Sequence, residues 1–369
     1  MAIKLSQLHN FAAVVEAGAV RQAARAANWR SSAAKPRDWA CRTETAPLYC
    51  ARFSQKRGYT LPLFLTDAEA ASLVDMKTVI AALEAAFLDE ARGDAFNLPR
   101  YRFSREETRL NVMLAGDTGA GRHAVRAYGA LGRSVSHIFL YGREGLLAVI
   151  EARTLSSLRT GAASAVAAKR LAAADARIVG LVGAGRQAEF QLMALHAVRP
   201  LTEARVFARN RPHLEDFCTR MSAQLALPVR PAASAQGAAE GADIVVAATN
   251  AKEPVLFAGW IKPGACVISM GANAANRREV DAEIVTRAAI VVTDDPSQAR
   301  VEAGEFIALA GKGALDWSKV LPLNRIVAEP PALTGGFTLF KSLGAGIEDL
   351  ASASLVYDEA LRRGVGVKA

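Results

Sequence analysis

The chain has 369 residues, 51% of them hydrophobic and 7% aromatic, enough to bury large cores and to divide into two domains or more. No apolar run approaches the roughly 20 residues that span a bilayer, and the N-terminus lacks the apolar core and cleavage site of a secretory signal, so no membrane partner is expected and the expected compartment is the cytoplasm. The formal net charge is +9, but ten basic against three acidic residues in residues 1–60 hold +7 of it, which excludes a nucleic-acid signature spread over the whole chain.

Residues 3–27, IKLSQLHNFAAVVEAGAVRQAARAA, alternate apolar and polar positions at helical period and resemble the opening helices of a LysR-type helix-turn-helix domain. Pro36 then falls where such a domain needs an unbroken recognition helix. The resemblance is to a degenerate fragment, and no specific DNA binding is expected of it. From Leu63 the texture changes. Thr66, with Glu69 three residues later, predicts a capping box and an amphipathic helix, and a second helix is predicted from near Met76. Strand-like runs at 109–114, 136–141 and 146–150 predict a sheet, and the small-residue stretch 155–173 predicts a helix leading out of it.

The segment 177–211 reads as a βαβ unit. Ile178 to Val182 is an apolar run suited to a strand covered on both faces, and Gly183, Gly185 and Ala188 follow with G-x-G-x-x-A spacing. Gly183 permits the tight turn, Gly185 lets backbone approach a pyrophosphate, and Ala188 lets the new helix pack on its strand. Gly183, Ala184, Gly185, Arg186 and Gln187 are therefore placed around the pyrophosphate at the positive end of that helix. The second strand ends Phe207-Ala208-Arg209-Asn210-Arg211 with no acid, where an NAD site carries a carboxylate for the ribose hydroxyls. Arg209 and Asn210 thus point to the 2′-phosphate of NADP(H) as the preferred cofactor, with NAD(H) as the other possibility. Further strands are predicted at 204–209, 243–248, 266–270 and 289–293, an α/β order throughout. The four cysteines, Cys41, Cys50, Cys218 and Cys266, have no ligand or disulfide spacing, so free thiols and no metal are expected. His123, His137, His196 and His213 show no paired spacing and read as core or surface residues; Asp294, Asp295 and Gln298 read as a helix cap.

In order, RTGAASAVAAKRLA, VGLVGAGRQAEFQL, ADIVVAATNAKEPVL, GWIKPGACVISMGANAANRREVD and FTLFKSLGAGIEDLASA resemble the ornithine cyclodeaminase/μ-crystallin family, over residues 62–369. The resemblance implies a Rossmann NAD(P)-binding domain at 159–318 inserted in an α+β substrate/dimerisation domain formed by 61–158 and 319–369, with 1–60 as an extension. It also implies a homodimer and hydride exchange at the α-carbon of a small amino or imino (ketimine) acid. Arg100, in NLPRYRF, matches the family arginine for the substrate carboxylate, and Arg159, in SLRTG, matches the pair that stands between substrate and cofactor. Thr160, Ala248, Thr249 and Lys341 fall in motifs that the resemblance sets beside the cofactor.

Two positions depart from the family pattern. Arg126 stands where a lysine is usual, and Asn273 where cyclodeaminases carry an aspartate. Arginine keeps the charge but does not deprotonate at working pH, and an amide has no titratable proton to exchange. Multi-step cyclodeamination thereby loses its proton carriers, whereas simple imine reduction, or the reverse amino-acid oxidation, suffers less. The expected activity is that of an NAD(P)-dependent imine reductase or amino-acid dehydrogenase; ornithine cyclodeaminase proper, a lyase, and a catalytically weakened binding protein are the alternatives.

Overall fold

The computed structural model describes residues 61–105, 108–131, 133–333 and 335–368; the basic extension with its LysR-like reading, Cys41 and Cys50 lie outside them. The described chain opens with β1 (Leu63–Leu65), α1 (Asp67–Ser72) and α2 (Met76–Arg92). At Thr66 the capping box is present: its hydroxyl accepts from the Glu69 N–H at 3.3 Å, and the Glu69 carboxylate accepts from the Thr66 N–H at 2.8 Å. Asp75 caps α2 against Thr78, and Met76, Val79, Ile80, Leu83 and Phe87 form its buried stripe.

A meander of β2 (Ala95–Arg105), β3 (Thr108–Asp117), β4 (Arg122–Leu131), β5 (Arg133–Gly142) and β6 (Gly145–Glu151) follows. With β1 and the terminal β15 (Val367–Lys368) it makes a 7-stranded sheet ordered β15-β1-β6-β5-β4-β3-β2. On the inner face Met113, Arg126, Ile138, Ile150 and Leu65 pair in a buried row. Leu98, Leu114, Val125, Phe139, Val149 and Phe64 pair in a row on the outer face. A β-bulge between Leu98 and Tyr101 re-phases β2. Without the extra residue Arg100 and Arg102 would fall on the outer face; with it they join Ala95 and Asn97 on the inner one.

α3 (Arg153–Leu171) leads into a second sheet made of β7 (Ile178–Val182), β8 (Glu203–Phe207), β9 (Val229–Pro231), β10 (Ile244–Ala247), β11 (Cys266–Ser269), β12 (Ile290–Thr293), β13 (Val320–Pro322) and β14 (Thr338–Lys341). It is parallel throughout, ordered β13-β12-β14-β11-β10-β7-β8-β9. The connections contain α4 (Arg186–Val198), α5 (Arg211–Leu225), α6 (Ala235–Ala239), α7 (Ala282–Arg287), α8 (Pro296–Glu302), α9 (Gly304–Ala310) and α10 (Leu323–Ala328). Its central strands are continuous apolar runs because both faces are covered. The sheet takes in β13 and β14, on the far side of residue 318; α11 (Gly346–Arg363) then packs on β3 and β4, and β15 rejoins β1. Among the described residues no helix is long and apolar enough to cross a membrane, no acidic or His/Cys group could hold a metal ion, and Cys218 and Cys266 are free and buried.

Candidate active site

The turn after β7 has the form a dinucleotide needs. Gly183 sits at φ 114°, and a Cβ there would lie 2.3 Å from the Ala248 carbonyl oxygen, so only glycine lets β7 and the loop after β10 approach this closely. At Gly185, the N-cap of α4, a Cβ would meet nothing within 4 Å and no side chain caps the helix. Open space in front of uncapped amides at a helix N-terminus fits a pyrophosphate. Arg186 reaches back to α3, its Nε donating to Ser157 Oγ at 3.1 Å and its Nη2 to Thr154 Oγ1 at 3.0 Å. Gln187 has a buried Oε1 without a protein partner. The Ala184 carbonyl is 2.8 Å from His213 Nε2, a bond that ties the glycine turn to the first turn of α5. Asn210 caps α5, accepting from the His213 N–H at 3.1 Å, and Arg211 pairs with Glu215 at 2.7 Å. Arg209 is exposed and makes no hydrogen bond or ion pair with the described residues.

The other cofactor candidates hold protein partners. Thr160 donates its hydroxyl to the Ser156 carbonyl at 2.8 Å, within α3. Thr249 donates its N–H and hydroxyl to Glu279 Oε1 at 2.6 and 2.7 Å, and the same carboxylate accepts from the Gly271 and Ala272 amides, so one buried acid shapes the loops after β10 and β11. Burial raises the Glu279 pKa, while Lys341 and these donors hold it back. Lys341 is 1% exposed, and its ammonium donates to Ser269 Oγ and Glu305 Oε1, both at 3.0 Å.

Arg100, Arg126 and Arg159 are brought together around the turn from β14 into α11. Arg100 donates Nη1 to Glu302 Oε2 at 2.9 Å and Nη2 to the Leu343 and Gly344 carbonyls at 2.7 and 2.9 Å, leaving a buried Nε without a partner. Arg126 donates Nη1 to Asp349 Oδ1 at 3.3 Å and Nε to Ser136 Oγ at 3.1 Å. Arg159 donates Nε to that same Asp349 Oδ1 at 3.0 Å and Nη1 to Glu348 Oε2 at 2.6 Å. Burial opposes the charge of Arg159, yet Asp349 and Glu348 hold its pKa above the ordinary value; for Arg126 burial prevails and the neighbouring Arg159 adds to the lowering. Asn273 is half-buried, and its carbonyl accepts from Arg102 Nη2 at 2.6 Å.

Of the carboxylates that organise these arginines, Glu348 and Asp349 stand in the FTLFKSLGAGIEDLASA motif as acids near the positive end of the last helix, whereas Glu302 carries no sequence signal. Glu302 takes Arg100 on one oxygen and Arg102 Nε on the other at 2.8 Å, and Gln298 Nε2 joins it at 3.0 Å. Of the three residues read as a cap, Asp295 does cap α8, accepting from Ser297 and Gln298; Gln298 also donates to the Gly344 carbonyl at 3.0 Å. Asp294 instead accepts from the Leu343 and Gly344 amides. Burial, with Glu348 close by, pushes its carboxyl up to about 8. Tyr128, on β4, was likewise passed over: Arg126 lies over its ring at 4.3 Å from the centroid and Arg100 at 6.0 Å. No local spacing marks Glu302 or Asp294, because Glu302 meets Arg100 across 202 positions and Asp294 meets Leu343 and Gly344 across 49 and 50; Tyr128, by contrast, stands two residues from Arg126 on the same strand.

A glycine turn open to a pyrophosphate at the carboxyl end of a doubly wound parallel sheet, together with a cluster of buried guanidiniums, defines a dinucleotide-dependent oxidoreductase acting on a small anionic substrate. The ornithine cyclodeaminase/mu-crystallin family model matches residues 61–364, and the chain belongs to that family. Alanine dehydrogenase of Archaeoglobus fulgidus is 32% identical, the match covering 83% of this chain and 97% of the relative. The structure of Thermococcus litoralis Δ1-pyrroline-2-carboxylate reductase in complex with NADH and L-proline superposes with a TM-score of 0.78 at 33% identity, covering 83% of this chain and all 100% of that one. An archaeal alanine dehydrogenase dimer with bound NAD superposes with a TM-score of 0.77 at 29% identity, covering 84% and 98%.

Proposed function

We propose that the protein is a homodimeric, NADPH-preferring reductase of small imino monocarboxylic acids, also able to run the reverse amino-acid oxidation. The charge balance of the arginine cluster carries this reading. Arg100, Arg102, Arg126 and Arg159 are paired with Glu302, Glu348 and Asp349, and Asp294 is held protonated near neutrality, so one positive charge is left over for one substrate carboxylate. Arg126 and Asn273 carry no proton that titrates at working pH, which favours one-step reduction over cyclodeamination. A bound nicotinamide supplies the hydride; the chain's own residues hold the carboxylate and set the face of the imine.

Arg209 supports the NADP preference: it is an uncommitted guanidinium at the end of β8, in a corner without an acid. For the homodimer, the support is the outer face of the 7-stranded sheet, where Phe64 (43% exposed), Leu98 (40%), Tyr101 (61%) and Phe103 (50%) lie in one apolar surface. A second copy of the same face is its natural cover, and the archaeal relative above is a dimer. The test is a panel of Δ1-pyrroline-2-carboxylate, iminosuccinate, L-alanine and L-ornithine with each cofactor. Δ1-pyrroline-2-carboxylate reduction faster with NADPH than with NADH is expected, with Arg209→Ala losing NADPH affinity selectively by fluorescence titration. Preferential turnover of L-ornithine with ammonia release would overturn the reading.

A further inference from the structure

With Arg126 and Asn273 unable to exchange a proton, imine reduction at this site still needs an acid: hydride reaches the imine carbon, the C=N pair moves to nitrogen, and nitrogen must take a proton. Four carboxyl groups stand near the arginines. Asp349, Glu348 and Glu302 are ion-paired to them and at most 4% exposed in their side chains, and Asp294 is clasped by two backbone amides. The first three would have to give up a buried guanidinium to carry a proton, and Asp294, which holds one near neutrality, is bonded to the turn amides of Leu343 and Gly344 and to none of the four arginines.

Tyr128 differs from all of them. It pairs with Asn111 and Ser136 in the inner-face row next to Arg126, and Arg102 continues that row through Asn111. Its ring underlies the Arg126 guanidinium and reaches Arg100, and its phenol lies within electrostatic range of Arg126 and Arg159. The side chain is half-buried, and its hydroxyl makes no hydrogen bond with the described residues. A phenol is both donor and acceptor, and this one stands on a ring that lies against two guanidiniums of the cluster.

We propose that Tyr128 is the catalytic acid of imine reduction, giving its proton to the imine nitrogen, and the base that takes it back in amino-acid oxidation. The inference rests on the imine-reductase reading. The step balances: the imine carbon gains the hydride, the nitrogen gains the Tyr128 proton, the phenolate is reprotonated from water, and the products are the amino acid and the oxidised cofactor.

Tyr128→Phe is the informative variant because it keeps the ring under Arg126 and removes only the hydroxyl. Two measurements are made on the full chain: steady-state reduction of Δ1-pyrroline-2-carboxylate, and binding of L-proline to the enzyme with oxidised cofactor, read by fluorescence. The expected result is a fall in kcat of about 10²–10⁴-fold, the usual worth of a general acid, with L-proline affinity changed less than about threefold. A Tyr128→Phe enzyme with wild-type kcat overturns the inference and leaves the imine-reductase reading standing. So does a kcat loss matched by an equal loss of L-proline affinity, which would make the hydroxyl a binding contact. Wild-type enzyme inactive on every imino acid overturns both, since an acid with no imine to protonate has no role. A melting curve and circular dichroism spectrum check that the variant is folded; if it is not, Tyr128→His, which keeps a ring and a transferable proton, must retain kcat above that of Tyr128→Leu, and equality of the two overturns the inference.

Discussion

Arg159 and Arg100 look equivalent in the sequence, each an arginine expected at the substrate carboxylate, but their surroundings differ. Arg159 is bonded to Asp349, which Arg126 shares, and to Glu348, which no other guanidinium among the described residues holds, whereas Glu302, the partner of Arg100, is also held by Arg102 and Gln298. Removing one member of a buried pair costs about 3–5 kcal/mol when the partner is left uncompensated. Arg159→Ala is therefore expected to destabilise the protein by that amount in urea unfolding, and Arg100→Ala by less than half as much. Both variants should lose imino-acid turnover, and Arg100→Ala should keep cofactor affinity. Equal destabilisation by the two would mean that Arg102 and Gln298 do not hold Glu302. The arginines were legible because they stand in local motifs; Glu302 was not, because it lies 202 positions from Arg100 and meets it only when the two sheets come together.

Local signals read well where one element suffices. The Thr66 capping box, the start of α2 at Met76 and the β7 turn follow from neighbouring residues alone. By contrast, β2 and β4 give no strand signal because each turns arginine toward the interior, Arg100 and Arg126, and so breaks the apolar alternation by which a strand is recognised. Helix α2 also holds a titrating group. Glu90 is half-buried near Asp295 and Glu348, and burial first, then those charges against an opposing hydrogen bond with Asn324, pushes its carboxyl to about 7 from 4.5. The folded protein thus keeps a proton that the unfolded chain releases between those values, so this group makes folding less favourable as pH rises from about 4.5 to 7, by at most about 3 kcal/mol. Glu90→Gln should accordingly raise Tm at pH 8 and leave it nearly unchanged at pH 4; a gain of the same size at both would show that packing, not ionisation, is responsible.

At the scale of the whole molecule, the outer sheet face decides assembly. Tyr101→Glu with Phe103→Glu places two charges on the apolar surface, and sedimentation velocity should find the double variant monomeric at concentrations where the parent chain is a dimer. A dimer of unchanged strength would put the subunit contact elsewhere.

The bulge in β2 gives a single strand two employments. Its inner residues Arg100 and Arg102 hold the carboxylate Glu302, while its outer residues Tyr101 and Phe103, interleaved with them, lie on the surface expected to meet a second subunit. β2 is also the edge of its sheet, hydrogen-bonded to β3 alone. Amide hydrogen exchange along 100–103 should therefore slow twice, once when subunits associate and again when a substrate carboxylate enters the clamp, making four consecutive peptide groups a common gauge of assembly and of ligand occupancy.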